Sequence, residues 1–116
     1  MAEDPVLRTM LFDFYGELLT DKQREYFDLH YNEDLSLAEI AALTGISRQG
    51  VWDIIKRAEA TLKEIEAKTG LVARFAARRE ALADIENRLS ALLDSPDAEA
   101  RRISREVIDA LHGLDD

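Results

Sequence analysis

Ser47, Arg48, Gln49, Lys56 and Arg57 bring a hydroxyl, an amide and three cations into the short stretch "SRQGVWDIIKR". Hydroxyls and cationic side chains bind phosphate oxygens, and a glutamine amide can pair with an adenine edge. On a helical wheel at ~100° per residue, Val51, Ile55, Ala58 and Leu62 fall within about 60° of one another, with Ile54 on the flank. Arg48, Gln49, Trp52 and Lys56 share a second arc, roughly 60° to 160° from Val51. That arc is the one a recognition helix turns toward a major groove. Ser47 and Arg48 would meet phosphates at the entrance, Gln49 a base edge, and Lys56 and Arg57 phosphates further along.

Three residues complicate this reading. Trp52 has one donor on a large apolar body, which suits stacking on unpaired bases or packing in a protein pocket better than reading duplex edges. It packs against the chain's own N- or C-terminal helices, or contacts a partner or second subunit, or stacks on nucleic acid. Asp53 beside it repels phosphate. Gly50 could permit close approach of a backbone or phosphate, but a glycine in the first turn of a helix costs little, and we take that plainer reading.

The elements that must position these residues are helical throughout. Asp4 before Pro5 signals a capped first helix, on which Val6, Leu7, Met10, Leu11, Phe14 and Leu18 recur at helical spacing. Phe12 and Tyr15 lie off that stripe, so this helix should pack on two sides, one of them suited to a second subunit. Thr20 with Gln23 and Ser36 with Glu39 form capping boxes, predicting helices over about 21–31 and from Leu37 to near Thr44. Gly45 fits a left-handed helix end, and Ser47 caps a helix over about 48–68. A further helix over 71–93 repeats Leu71, Phe75, Leu82, Ile85, Leu89 and Leu92 as a coiled-coil-like seam, interrupted by Arg78. Ser95, with Pro96 in the first turn, is read as the cap of a last helix with the stripe Ala100, Ile103, Val107 and Leu111, forming an antiparallel hairpin with its predecessor.

Two short helices joined by a glycine turn meet the requirements of a helix-turn-helix over about 36–58. Ile40 fills the inward position, Ala41 supplies the small residue at the close approach, Gly45 and Ile46 make the turn, and Val51 and Ile54 lock the second helix onto the first. The expected fold is therefore all-α. A helix-turn-helix domain spans 1–70, and a helical hairpin over 71–116 packs on it as a single compact unit.

The 116 residues carry a net charge of −9, unevenly spread. Residues 1–46 hold 3 Lys/Arg against 10 Asp/Glu, residues 47–69 hold 5 against 4, and residues 70–116 hold 7 against 10. Only the middle is not acidic, so duplex affinity should be weak or highly local. The arginines Arg74, Arg78 and Arg79 are a possible phosphate patch. The expected alternative is pairing with Glu80, Asp84 and the acidic first half, and Arg101, Arg102 and Arg105 invite the same reading. The absence of cysteine excludes disulfides and thiolate metal sites. His30 and His112 stand on different helices outside any ligand motif, no phosphate loop follows a strand, and no acid–base pair is spaced for catalysis. No enzyme activity, metal or cofactor is expected. The acidic start lacks a signal peptide, and no apolar run reaches the ~18 residues of a membrane span, so a cytoplasmic, non-inserted protein is expected.

The run "LTDKQREYFDLHYNEDLSLAEIAALTGISRQGVWDIIKRAE" resembles region four of bacterial sigma factors in its capped "QRE" helix, "SLAEIA" helix and "GIS" turn. The chain resembles more closely, over about residues 6–90, the YlxM-like family of small all-helical bacterial proteins. That resemblance implies a homodimeric regulatory protein of the signal recognition particle pathway, whose partners are components of the particle, protein or RNA. The residues themselves leave two alternatives open: a sequence-specific DNA-binding transcription regulator, and a protein-binding helical adaptor that keeps the helix-turn-helix as scaffold and uses Trp52 as anchor.

Overall fold

The computed structural model describes residues 4–114, which fold as an all-α protein of six helices. They are α1 (Pro5–Tyr15), α2 (Asp21–Phe27), α3 (Leu37–Thr44), α4 (Arg48–Thr69), α5 (Leu71–Ser90) and α6 (Ala98–Gly113). A π-helical turn over Asp28–Asn32 continues α2, and a 3-10 turn over Ala91–Asp94 continues α5. The chain divides into two compact units, one ending at Val72 and the other beginning at Ala73.

Local chemistry sets the helix starts in the first unit. Asp4 accepts the amides of Val6 and Leu7. Both capping boxes close: Thr20 Oγ1 accepts Gln23 N while Gln23 Oε1 accepts Thr20 N, and Ser36 and Glu39 make the same exchange. Each box satisfies two backbone donors that a helix start leaves open. The two hydrogen bonds from Ser36, backbone first and side chain second, favour the ionised form of Glu39 and lower its pKa below the ordinary value.

Two apolar clusters hold this unit together. Leu11, Tyr15, Leu19, Phe27, Ala58, Leu62 and Val72 form one, and Tyr26, Ile40, Val51 and Ile55 the other. α4 runs through both, burying Val51, Ile55, Ala58 and Leu62 at helical spacing. The inward face of α1 differs from the stripe expected from sequence. Leu11 and Tyr15 are buried and Phe12 stacks on Phe27 with ring centroids 4.8 Å apart, whereas Val6, Leu7, Phe14 and Leu18 are exposed. An apolar helix with two candidate faces turns inward the one whose aromatics find partners, and Tyr15 finds them in its hydroxyl: it donates to Glu66 Oε1 at 2.6 Å and lies 2.6 Å from Thr69 Oγ1.

In the second unit, Asp97 rather than Ser95 caps α6, accepting Glu99 N, while Pro96 precedes the helix and Ser95 Oγ accepts Asp97 N. The inward face of α6 is Ser104 and Ile108, with Ala100 and Leu111 half-buried beside them, while Ile103 and Val107 of the expected stripe are exposed. His112 near the end of α6 bonds Glu86 in α5, linking the two helices. Leu82 and Leu89 of α5 are half-buried, while Ile85 of α5 and Leu92 in the 3-10 turn after it are exposed.

Candidate nucleic-acid interface

The helix-turn-helix is built by α3 and the first turns of α4. Gly45 ends α3 with φ 77°, a left-handed conformation that costs glycine little, and its N–H closes onto Ala41 O. Ser47 then caps α4, its Oγ accepting Gly50 N at 3.0 Å. Ile40 and Val51 are buried, and Ala41, Ile46 and Ile54 pack half-buried against the same cluster. The angle of α4 against α3 is thus fixed by residues of the turn itself.

Gly50 has a packing role that the plainer reading of the sequence missed. A Cβ added there would lie 2.7 Å from Ile46 Cγ2 and 3.2 Å from Ser47 Oγ. Ile46 is β-branched and stiff, so it cannot readily swing aside. The close approach is to the turn of the same motif.

Ser47, Arg48, Gln49, Lys56 and Arg57 are all exposed. They are not equally available. The Ser47 hydroxyl is engaged as a cap, Gln49 Nε2 donates to Asp53 Oδ1 at 2.9 Å, and Lys56 Nζ stands 5.1 Å from the centroid of the Trp52 ring. Arg48 and Arg57 have no hydrogen-bond or ion-pair partner among the described residues. Asp53 therefore does more than oppose a phosphate. It holds one amide donor of Gln49 and leaves the second N–H and Oε1 without a hydrogen-bond partner among the described residues.

Trp52 is half-buried and packs on the second apolar cluster. Its ring meets His30 edge-on, with centroids 6.0 Å apart and planes at 77°. His30 is itself fixed by a 2.8 Å hydrogen bond from Nδ1 to Leu35 O. The indole is thus packed against the π-helical turn that follows α2, with the Lys56 ammonium near its ring. Sequence inspection had no means of finding a second buried group on α4, Glu59, which is 4% exposed and accepts the Tyr31 hydroxyl at 2.6 Å. Arg8 covers the Tyr31 ring at 3.9 Å, tying α1 to the same network.

The arginines expected to pair with neighbouring carboxylates divide. Arg102 pairs with Glu99 and Glu106, and Arg101 donates to Ser95 O. Arg74, Arg78 and Arg79 have no ion-pair partner among the described residues, and Asp84 pairs with Arg88 instead. The reason is spacing. Asp84 to Arg88 is the favourable i,i+4 order on a helix, whereas neither Glu80 nor Asp84 stands three or four residues from any of the three.

Comparison with known proteins agrees with this architecture. The sequence pattern of UPF0122, described as "Putative helix-turn-helix protein, YlxM / p13 like", matches residues 3–102. The chain belongs to this family. A UPF0122 protein of Bacillus cereus (strain AH187) is 41% identical over 115 residues, 99% of this chain and 100% of the relative. Those of Thermoanaerobacter sp. (strain X514) and Caldanaerobacter subterraneus subsp. tengcongensis are 57% and 56% identical over 74 and 72 residues. These last matches span 63% and 62% of the relatives' lengths. No helix among the described residues is long and apolar enough to cross a membrane.

Proposed function

We propose that this chain is a non-enzymatic, cytoplasmic regulatory protein of the signal recognition particle pathway, acting as a homodimer on components of the particle, protein or RNA. The pathway rests on the resemblance to YlxM-like proteins and on family membership. The observation that carries a nucleic-acid role is the exposed, unpartnered guanidinium of Arg48 on the arc of the second helix that also holds Gln49 and Lys56, in a chain otherwise acidic; Arg57 is exposed and unpartnered too, on the opposite side of that helix. Dimerisation is supported by apolar side chains left uncovered: Leu7 and Leu18 by α1, Ile85 and Leu92 by the α5 side of the hairpin, and Ile103 on α6. Affinity capture from the source cell, with and without nuclease, tests the reading. Recovery of the particle's protein component only while RNA is intact supports an RNA-mediated role, nuclease-resistant recovery supports direct protein contact, and recovery of neither contradicts the pathway.

A DNA-binding regulator using Ser47, Arg48, Gln49, Lys56 and Arg57 is the second reading. Arg48 and Arg57 favour it; the Asp53 carboxylate beside Gln49 weighs against it. An adaptor anchored on Trp52 draws less support, because the indole is already half-buried against His30 and the core.

A further inference from the structure

We propose that the second unit carries its own binding site for a single-stranded nucleic acid, separate from the helix-turn-helix and centred on Arg74, Arg78 and Arg79 of α5. The segment from Ala73 to Arg79, "ARFAARR", holds three cations and no carboxylate, in a chain with 24 Asp and Glu against 15 Lys and Arg. All three guanidiniums are exposed, and none has an ion-pair partner among the described residues. Four carboxylates of the same unit are held by other partners: Asp84 by Arg88, Glu99 and Glu106 by Arg102, and Glu86 by His112. Glu80 follows the segment directly and is exposed, but three cations outnumber it, and the complement of such a local positive patch on an acidic protein is a polyanion.

The arrangement around the arginines selects the kind of polyanion. Arg74 and Arg78 stand one helical turn apart, about 6 Å along the axis, on one flank of α5, and Arg79 lies on the other. Phe75 sits between the flanks, 40% exposed, with the Arg79 guanidinium 5.7 Å from its ring centroid. Phe75, Arg78, Arg79, Leu82 and Leu114 line a cleft of about 270 Å³. Cations interleaved with an aromatic at the edge of an apolar cleft match the way single strands are held without sequence preference. Phosphates lie on the guanidiniums, and bases stack on aromatic and apolar surface. A rigid duplex would offer phosphates but no exposed base face for the cleft.

Fluorescein-labelled poly(U) titrated with the full-length protein at low salt tests the site by anisotropy, comparing wild type with Arg74→Gln/Arg78→Gln/Arg79→Gln. Circular dichroism confirms that the exposed substitutions leave the helices intact. The variant should bind at least tenfold more weakly, and its log K against log salt slope should fall by about 2, at ~0.7 per lost phosphate contact on a single strand. Poly(dT) should behave like poly(U), because the backbone is what is held. Arg88→Gln, at the arginine of the same helix that pairs with Asp84, should leave poly(U) binding unchanged, and Arg48→Ala/Arg57→Ala should weaken it less than the triple variant does. Absence of poly(U) binding by the wild type, equal binding by the triple variant, or loss only in the Arg48/Arg57 variant would overturn the proposal. So would preference of the same three arginines for an acidic helical peptide over poly(U).

Discussion

Ile46 closes over Gly50, leaving 2.7 Å between its Cγ2 and the place a Cβ would occupy. The contact ties the turn of the helix-turn-helix to the first turn of α4, and thereby sets how α4 leaves α3. Alanine at position 50 would gain up to ~1 kcal/mol of helix propensity but meet an overpacking cost of about 1–3 kcal/mol. Gly50→Ala should therefore lower the unfolding free energy by roughly 1 kcal/mol, measured by urea denaturation. In an Ile46→Ala background the same change should cost markedly less, since only the milder 3.2 Å approach of Ser47 Oγ then opposes the gain in propensity; a cost of the same size in both backgrounds would place the strain elsewhere.

Gly45 predicts a contrasting case. A Cβ there meets nothing within 4 Å, yet the backbone sits at φ 77°. Gly45→Ala should cost about 1 kcal/mol through left-handed strain alone, and Gly45→Asn should cost less, because asparagine tolerates that region. Thermal denaturation ranking alanine above asparagine in stability would contradict this account.

The Tyr15 hydroxyl joins α1 to the end of α4 through Glu66 and Thr69. Tyr15→Phe keeps the ring in its cluster and removes that link, one hydrogen bond of which goes to a carboxylate. A loss of about 1–2 kcal/mol is expected in chemical denaturation, with the first unit's amides near residue 69 exchanging faster. An unchanged midpoint would show that the hydroxyl link adds nothing to stability.

Glu39 makes the start of α3 sensitive to acid. Its folded-state pKa is lowered by the hydrogen bonds from Ser36, so its contribution is fully present above the ordinary carboxylate value and is lost as pH falls through the lowered one. The protection factors of the amides at Ser36 and across the first turn of α3, which correct for the intrinsic pH dependence of exchange, should fall over that acid window. Glu39→Gln, which can still accept the Ser36 N–H, should abolish that dependence. Protection factors tracking pH equally in both proteins would remove Glu39 as the cause.

What the sequence made legible was mostly local. The capping boxes at Thr20 and Ser36, the left-handed Gly45 and the buried stripe of α4 each depend on residues within a turn or two. Choices between two adequate local answers were not legible. Ser95 was read as the cap of α6 where Asp97 takes that place, and α1 offers two apolar faces, between which tertiary packing decided. Glu59 could not be recognised as a buried acceptor, because Tyr31 arrives from 28 residues away. In the candidate site, the exposed positions of Arg48, Gln49 and Lys56 followed from the wheel, but the half-burial of Trp52 on the same arc, its packing on His30 and the engagement of Gln49 by Asp53 needed coordinates.

The proposal that the helix-turn-helix binds nucleic acid through its second helix is tested most directly by a salt series. Anisotropy of labelled duplex fragments from the source genome would be followed with wild type and with Arg48→Ala/Arg57→Ala. Wild type should bind with a steep salt dependence, and the variant should bind at least tenfold more weakly with a slope reduced by up to ~0.9 for each lost phosphate contact. Equal affinity and equal slope in the two proteins would contradict the use of that helix.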